Sequence, residues 1–224
     1  MQIAIDGPAG AGKSTIAKKV AAKLGAVYMD TGAMYRGVAV HMTDAGISPQ
    51  DKERVEEEAG SVGISLAIKD DGQHVIVCGE DVTGRIRTEE AGKAASAVSA
   101  YPKVREMLVA RQREIAGEMD VVMDGRDIGT VVLPDATLKI FLTASVEERA
   151  KRRYLELIGR GVPESSISIE EIESDIAARD LADMTRECSP LKKADDAIEV
   201  DTTGIGIDEV TERICALYRE AAEK

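Results

Sequence analysis

The stretch Gly7-Pro8-Ala9-Gly10-Ala11-Gly12-Lys13-Ser14 constrains the fold more than any other part of the chain. It satisfies the pattern GxxxxGK[ST], which works only where a strand runs into a loop and the loop opens a helix. Both neighbours are present. Ile3-Ala4-Ile5 is a short apolar strand, and from Ser14 the residues Ile16, Ala17, Val20, Ala21 and Leu24 recur at helical spacing until Gly25 stops them. Glycines let the backbone curl so that several N–H groups converge on phosphate oxygens, at the positive end of a helix dipole. The loop therefore predicts a bound polyphosphate in contact with Gly7, Pro8, Ala9, Gly10, Ala11, Gly12, Lys13, Ser14 and Thr15. Lys13 is suited to bridge the outer phosphates of ATP, and the Ser14 hydroxyl to bind Mg²⁺. Where the terminal phosphoryl group goes is left open.

The alternation continues along the chain. Val121-Val122-Met123 ends at Asp124-Gly125, and Leu138 to Leu142 leads into a helix opened by Ser145 with Glu148 three residues on, a capping box. Ala197 to Val200 precedes a helix with Val210, Ile214, Leu217 and Ala221 on one stripe. Short apolar strands alternating with amphipathic helices predict an α/β fold, a parallel sheet covered on both faces. Two stretches break the rhythm. Val62 to Thr83 reads as short β runs separated by Asp71-Gly72 and Gly79-Glu80, which are hairpin signals for a small antiparallel insertion. Gly159 to Ser168, with Gly159, Gly161 and Pro163, reads as a mobile lid between a basic helix and one that starts acidic.

Composition narrows the function classes. At 224 residues and 44% hydrophobic content the chain can bury a substantial core. A formal net charge of −12 disfavours a broad basic surface for nucleic acid or anionic lipid, so anionic ligands must be met by local clusters. Aromatics are only 3%, too few for the stacking platforms of single-strand RNA binders. Cys78, Cys188 and Cys215 are scattered and form no CxxC pair, so free thiols are expected rather than a disulfide framework or a zinc site. His41 and His74 are isolated. The chain runs from Met1 straight into the phosphate loop and carries no apolar run of membrane-span length, which gives the expectation of a soluble cytoplasmic protein.

The acceptor must be sought elsewhere. In "VVMDGRD", Asp124 stands at a strand end as a possible second metal contact, and Arg126 comes two residues later, suggesting a second anion beside the first. Asp30-Thr31-Gly32-Ala33-Met34-Tyr35-Arg36 closes a second strand and delivers Arg36 one helical turn beyond it. Ser96 and Arg105 supply a hydroxyl and a guanidinium. A helix capped by Ser168 and Glu171 is expected to set Arg179, Asp183 and Arg186, at i, i+4 and i+7, on one face.

Together these stretches resemble the bacterial-type cytidylate kinases, a branch of the P-loop nucleoside monophosphate kinases. "IAIDGPAGAGKST", "LGAVYMDTGAMYR", "VTGRIRTEE", "VSAYPKVRE", "MDGRDIGTVVLPDA" and "ARDLADMTRECSPLKKADDA" match in family order from end to end. "DGRDIGTVV" and "DTGAMYR" are specific to the family, whereas the phosphate loop is shared by many. The resemblance implies a single P-loop kinase domain over 1–224. Within it a monophosphate-binding region spans 31–115, with the β insertion at about 60–95, and a lid lies at 154–170. It implies transfer of the γ-phosphoryl group of ATP to CMP, with dCMP as a second acceptor, ATP and Mg²⁺ as cofactors, no nucleic-acid or membrane partner, and a monomer.

Carried over residue by residue, it implies acceptor phosphate contacts from Arg36, Arg126 and Arg186, with Lys13, Arg126 and Arg186 as the catalytic group. Asp183 and Arg179 would lie near the ribose, and Ser96, Arg105 and Asp127 at the cytosine, with Thr31 close by. The base chemistry agrees, since a carboxylate plus a guanidinium match cytosine's amino donor and its N3 and O2 acceptors. Thr31 stands where many relatives have Ser, and Ala182 where some have another arginine. Which of Arg149, Arg152 and Arg153 meets the transferring phosphate is undecided. Two alternatives stay open: a kinase for a shikimate-like acid, which leaves Ser96 and Asp127 idle, and a nucleotide-gated binding module.

Overall fold

A computed structural model of the chain describes residues 1–70 and 72–223. The elements begin with β1 Gln2–Asp6, α1 Lys13–Leu24, β2 Val27–Asp30, α2 Thr31–Asp44 and α3 Lys52–Ala59. Next come β3 Ile64–Lys69, β4 Gly72–Val77, β5 Glu80–Asp81, α4 Glu89–Val98 and α5 Pro102–Glu118. The remainder is β6 Val121–Gly125, β7 Leu138–Thr143, α6 Val146–Gly159, α7 Ile169–Thr185, β8 Ile198–Asp201 and α8 Ile207–Ala222. One sheet has five strands in the order β2-β6-β1-β7-β8, and the other has three in the order β3-β4-β5. The central strands pair in parallel, as the alternation predicts. The chain divides into two compact units, 1–27 with 120–224, and 28–119.

In the first unit the strands beside β1 are largely buried, which is why they read as near-continuous apolar runs, interrupted in β7 by Lys139. Ile3, Ile5, Val121, Val122, Met123, Ile140 and Leu142 are at most 1% exposed. Each such side chain contributes roughly 1.5–3 kcal/mol through burial. Register then carries the chemistry, because Ile5 lies opposite Asp124 and Asp6 opposite both Gly125 and Phe141. The polar ends of three strands are thereby gathered at the carboxyl edge of the sheet, where α/β folds bind ligands. Helix α1 runs from Lys13 to Leu24 and is capped by Gly25, which takes the left-handed conformation open to glycine.

In the second unit α2 is the spine, burying Met34, Val38 and Met42. The three-stranded sheet is antiparallel, as expected for the insertion. Asp71, half of the first hairpin signal, lies outside the described residues, and the strands either side of it pair with Lys69 opposite Gly72. The second hairpin turns on Cys78 and Gly79, both at positive φ, and Glu80 already belongs to a strand. Strand structure ends at Asp81, and most of 85–98 is helical. Helix α6 runs unbroken to Gly159, so 154–159 is helix, and a single short turn at Glu164–Ser166 separates it from α7.

Candidate active site

In the first unit the phosphate loop is held by its carbonyls. Lys13 Nζ donates to the Pro8 carbonyl at 2.7 Å, and Arg149 Nη1 to the Ala9 carbonyl at 2.9 Å. Gly7 enters the loop at φ 149°, and a Cβ there would stand 2.0 Å from the Leu142 carbonyl oxygen, an overlap only glycine avoids. The loop is thus pressed against β7 by the absence of a side chain.

Ser14 Oγ donates to Asp124 Oδ2 at 2.7 Å. That spacing fits the Mg²⁺ expected from the sequence resemblance, because adjacent ligands of an octahedral ion at about 2.0–2.1 Å lie about 2.9 Å apart. A hydroxyl beside a carboxylate is also the oxygen-only chemistry that this ion prefers. Lys13 is buried, and burial, followed by the charge of Arg126, lowers its ammonium to about 7 against the pull of Asp124 and Asp6.

Beside it lies a guanidinium and carboxylate cluster. Arg126 Nε donates to Asp183 Oδ2 at 2.7 Å, and Arg186 Nη1 is 4.0 Å from the other oxygen of the same carboxylate. Arg186 Nη2 is 3.7 Å from Asp127 Oδ1, and its Nε donates to the Ser189 carbonyl at 2.7 Å. Asp127 and Asp183 are both buried. The expectation that Arg186 continues the face of α7 is corrected here. The helix ends at Thr185 and Arg186 is extended, at ψ 141°, so the turn after the helix and not its periodicity aims the side chain. Arg179 is exposed on α7, though near enough to Lys13 for its charge to be felt.

Asp6 was not among the sequence candidates. Its two carboxylate oxygens accept from Ile128 N at 2.8 Å and Gly129 N at 2.7 Å. These bonds pin the π-helical turn Ile128–Val132 directly behind Asp127. Such single turns recur at functional sites. Burial raises the Asp6 carboxyl to about 6, even though both amide donors favour its charged form. The available signal was a carboxylate closing an otherwise apolar strand just before the loop.

The basic cluster before the lid divides by role. Arg149 is buried, bonded to the Ala144 and Ala9 carbonyls and paired with Asp180 Oδ2 at 2.6 Å. Arg152 Nη2 donates to the Thr202 carbonyl at 2.7 Å and Nε to Glu148 Oε1 at 3.1 Å. Arg153 pairs with Glu156 at 3.0 Å on the outer part of α6.

The second unit holds the remaining candidates. Asp30 caps α2, accepting from Ala33 N at 2.9 Å with one oxygen and from Arg36 Nη2 at 2.7 Å with the other. Thr31 opens the helix and is buried. Arg105 is buried, donates to the Ser99 carbonyl at 3.0 Å and lies 5.4 Å from the Tyr35 ring centroid, in cation–π range. Ser96 sits half-buried on α4, one turn before that carbonyl.

A parallel sheet, a GxxxxGK[ST] loop between β1 and α1 and a hydroxyl–carboxylate pair at the strand ends define the P-loop kinase class. The gluconokinase of Sinorhizobium meliloti 1021 shares the fold at TM-score 0.50 and 15% identity, over 99% of this chain and 93% of that one. An uncharacterized protein from Eubacterium ventriosum shares it at TM-score 0.53 and 15% identity, over 98% of each chain. The sequence model of the family Cytidylate kinase matches residues 3–220. A cytidylate kinase of Geobacillus sp. (strain WCH70) is 51% identical over 220 residues, 98% of this chain and 97% of that protein. One from Desulfitobacterium hafniense (strain Y51) is 51% identical over 223 residues, 100% of this chain and 94% of that protein. The chain belongs to the cytidylate kinase family.

Proposed function

We propose that this chain transfers the γ-phosphoryl group of ATP to CMP, and also to dCMP, giving ADP and the nucleoside diphosphate. The observation that carries the reading is the part-buried Arg126–Asp183–Arg186 cluster set beside Lys13, close enough that Arg126 depresses the lysine's protonation. Asp183 and Asp127 balance these guanidinium groups at rest, and an acceptor phosphate would compete for them. The phosphate loop answers for one polyphosphate, and the guanidinium groups call for a second phosphate beside it.

Phosphoryl transfer asks a protein mainly to align donor and acceptor and to neutralise charge on the moving group. Lys13 leaves the Pro8 carbonyl for the β- and γ-phosphates of ATP. Ser14 and Asp124 would hold Mg²⁺, which when bound would supply charge neutralisation for the transfer. Arg36, Arg126 and Arg186 hold the CMP phosphate, Asp183 and Arg179 the ribose, and Asp127, Arg105, Ser96 and Thr31 the cytosine. Arg149 and Arg152 brace the loop and α6, leaving Arg153 as the arginine of that cluster next to the 154–170 segment, whose closure would exclude water.

A panel of CMP, dCMP, UMP, AMP and shikimate with ATP and Mg²⁺, read out as ADP, tests the assignment. CMP is expected to turn over fastest, with dCMP next. Equal rates with UMP or shikimate, or no ADP with any acceptor, would overturn it.

A further inference from the structure

One polar residue of the β insertion bonds to the start of the helix that carries Arg36. Strand β4 presents alternate side chains to one face, and positions 73, 75 and 77 share it. Val75 and Val77 rest on α2 at Gly37, where an added Cβ would stand 2.9 Å from a Val75 methyl and 3.1 Å from a Val77 methyl. The third position on that face is polar. Asp30 N donates to Gln73 Oε1 at 2.9 Å, and Gln73 Nε2 donates to the Asp30 carbonyl at 3.1 Å. The side-chain amide thus pairs with both backbone groups of Asp30, as a neighbouring strand would.

Asp30 is no ordinary residue to clamp. Its carboxylate caps α2 through Ala33 N and holds the Arg36 guanidinium. A chain of bonds therefore runs from the insertion through the Asp30 backbone and side chain to Arg36. We infer that Gln73 is a positioning residue for the acceptor: the three-stranded insertion uses it to set the aim of Arg36. This rests on the reading that Arg36 binds the CMP phosphate. The apolar pair at Gly37 fixes the strand against the helix, while the amide fixes the helix entry, so packing and aim are supplied by different residues of one face.

Gln73→Met keeps the volume and removes both hydrogen bonds. Two half-buried bonds lost from a positioning chain correspond to a rise of about tenfold in KM for CMP. KM for ATP should stay within about twofold on the same grounds, and thermal stability should change little. Amide hydrogen exchange at Asp30 and Ala33 should quicken in the variant. In an Arg36→Gln background, Gln73→Met should add almost nothing to KM for CMP, because the two act through one contact. The inference is overturned if Gln73→Met raises both KM values alike, or if its effect adds in full to that of Arg36→Gln. Faster exchange at Asp30 and Ala33 with Arg36→Gln leaving KM for CMP unchanged would uphold the clamp but overturn the Arg36 reading, and with it the acceptor role.

Discussion

Lys13 donates to the Pro8 carbonyl, a bond that a phosphate oxygen of ATP would replace under the proposed function. Since burial and Arg126 bring its protonation down to about 7, much of it is uncharged at pH 8. Polyphosphate favours the charged form, so ATP binding at pH 8 should take up a proton, read by calorimetry in two buffers of different ionisation enthalpy. Identical heats in both buffers would contradict this. Asp6 acts in the opposite sense. Its folded value of about 6 lies above the ordinary 3.8, so the fold binds that proton more tightly than the unfolded chain does. Its contribution is fully present below about pH 4 and is lost as pH rises through about 6. Asp6→Ala strands two buried N–H groups, and urea denaturation should register a loss of about 2–4 kcal/mol.

At the level of elements, most of the sequence expectations rest on local chemistry and are met locally. Ser145 Oγ accepts from Glu148 N and Ser168 Oγ from Glu171 N, both at the helix starts that spacing predicts. Arg186 differs because helix periodicity stops mattering one residue past the helix end. Arg149 was hidden for another reason. In sequence it is one of several cations in a row, and only packing singles it out as the buried one on the Ala9 carbonyl. Arg149→Met, which also deprives Asp180 of its cation, should raise KM for ATP several-fold more than KM for CMP in steady-state kinetics. Gly37→Leu should push β4 from α2 and cost about 1–3 kcal/mol by thermal or chemical unfolding, as overpacking does.

Over the whole molecule the net charge is −12, and several surface cations such as Lys19, Lys23 and Arg85 are paired with carboxylates. Free CMP is small enough to be met by a local cluster, whereas a polynucleotide needs a continuous basic track. Poly(C) should therefore show no retention in a filter-binding assay at moderate salt. Asp127 tests specificity at the same scale. Asp127→Ala should lower kcat/KM for CMP by at least about tenfold while leaving ATP affinity near wild type, and equal proportional losses for CMP and UMP would remove it from the base-reading set.

Linear patterns were enough for the α/β class, the phosphate loop, the antiparallel insertion and the family, because glycine spacing, apolar periodicity and capping pairs are short-range and leave their mark on neighbouring residues. Which strands lie side by side is a long-range matter. It is parallel register that brings Asp6 level with Gly125, and Ile5 level with Asp124, across more than a hundred residues of chain. The same holds for Gln73 meeting Asp30 and for Arg149 reaching Ala9. A polar residue on an apolar strand, or one arginine among several, acquires its role only when folding chooses its partner.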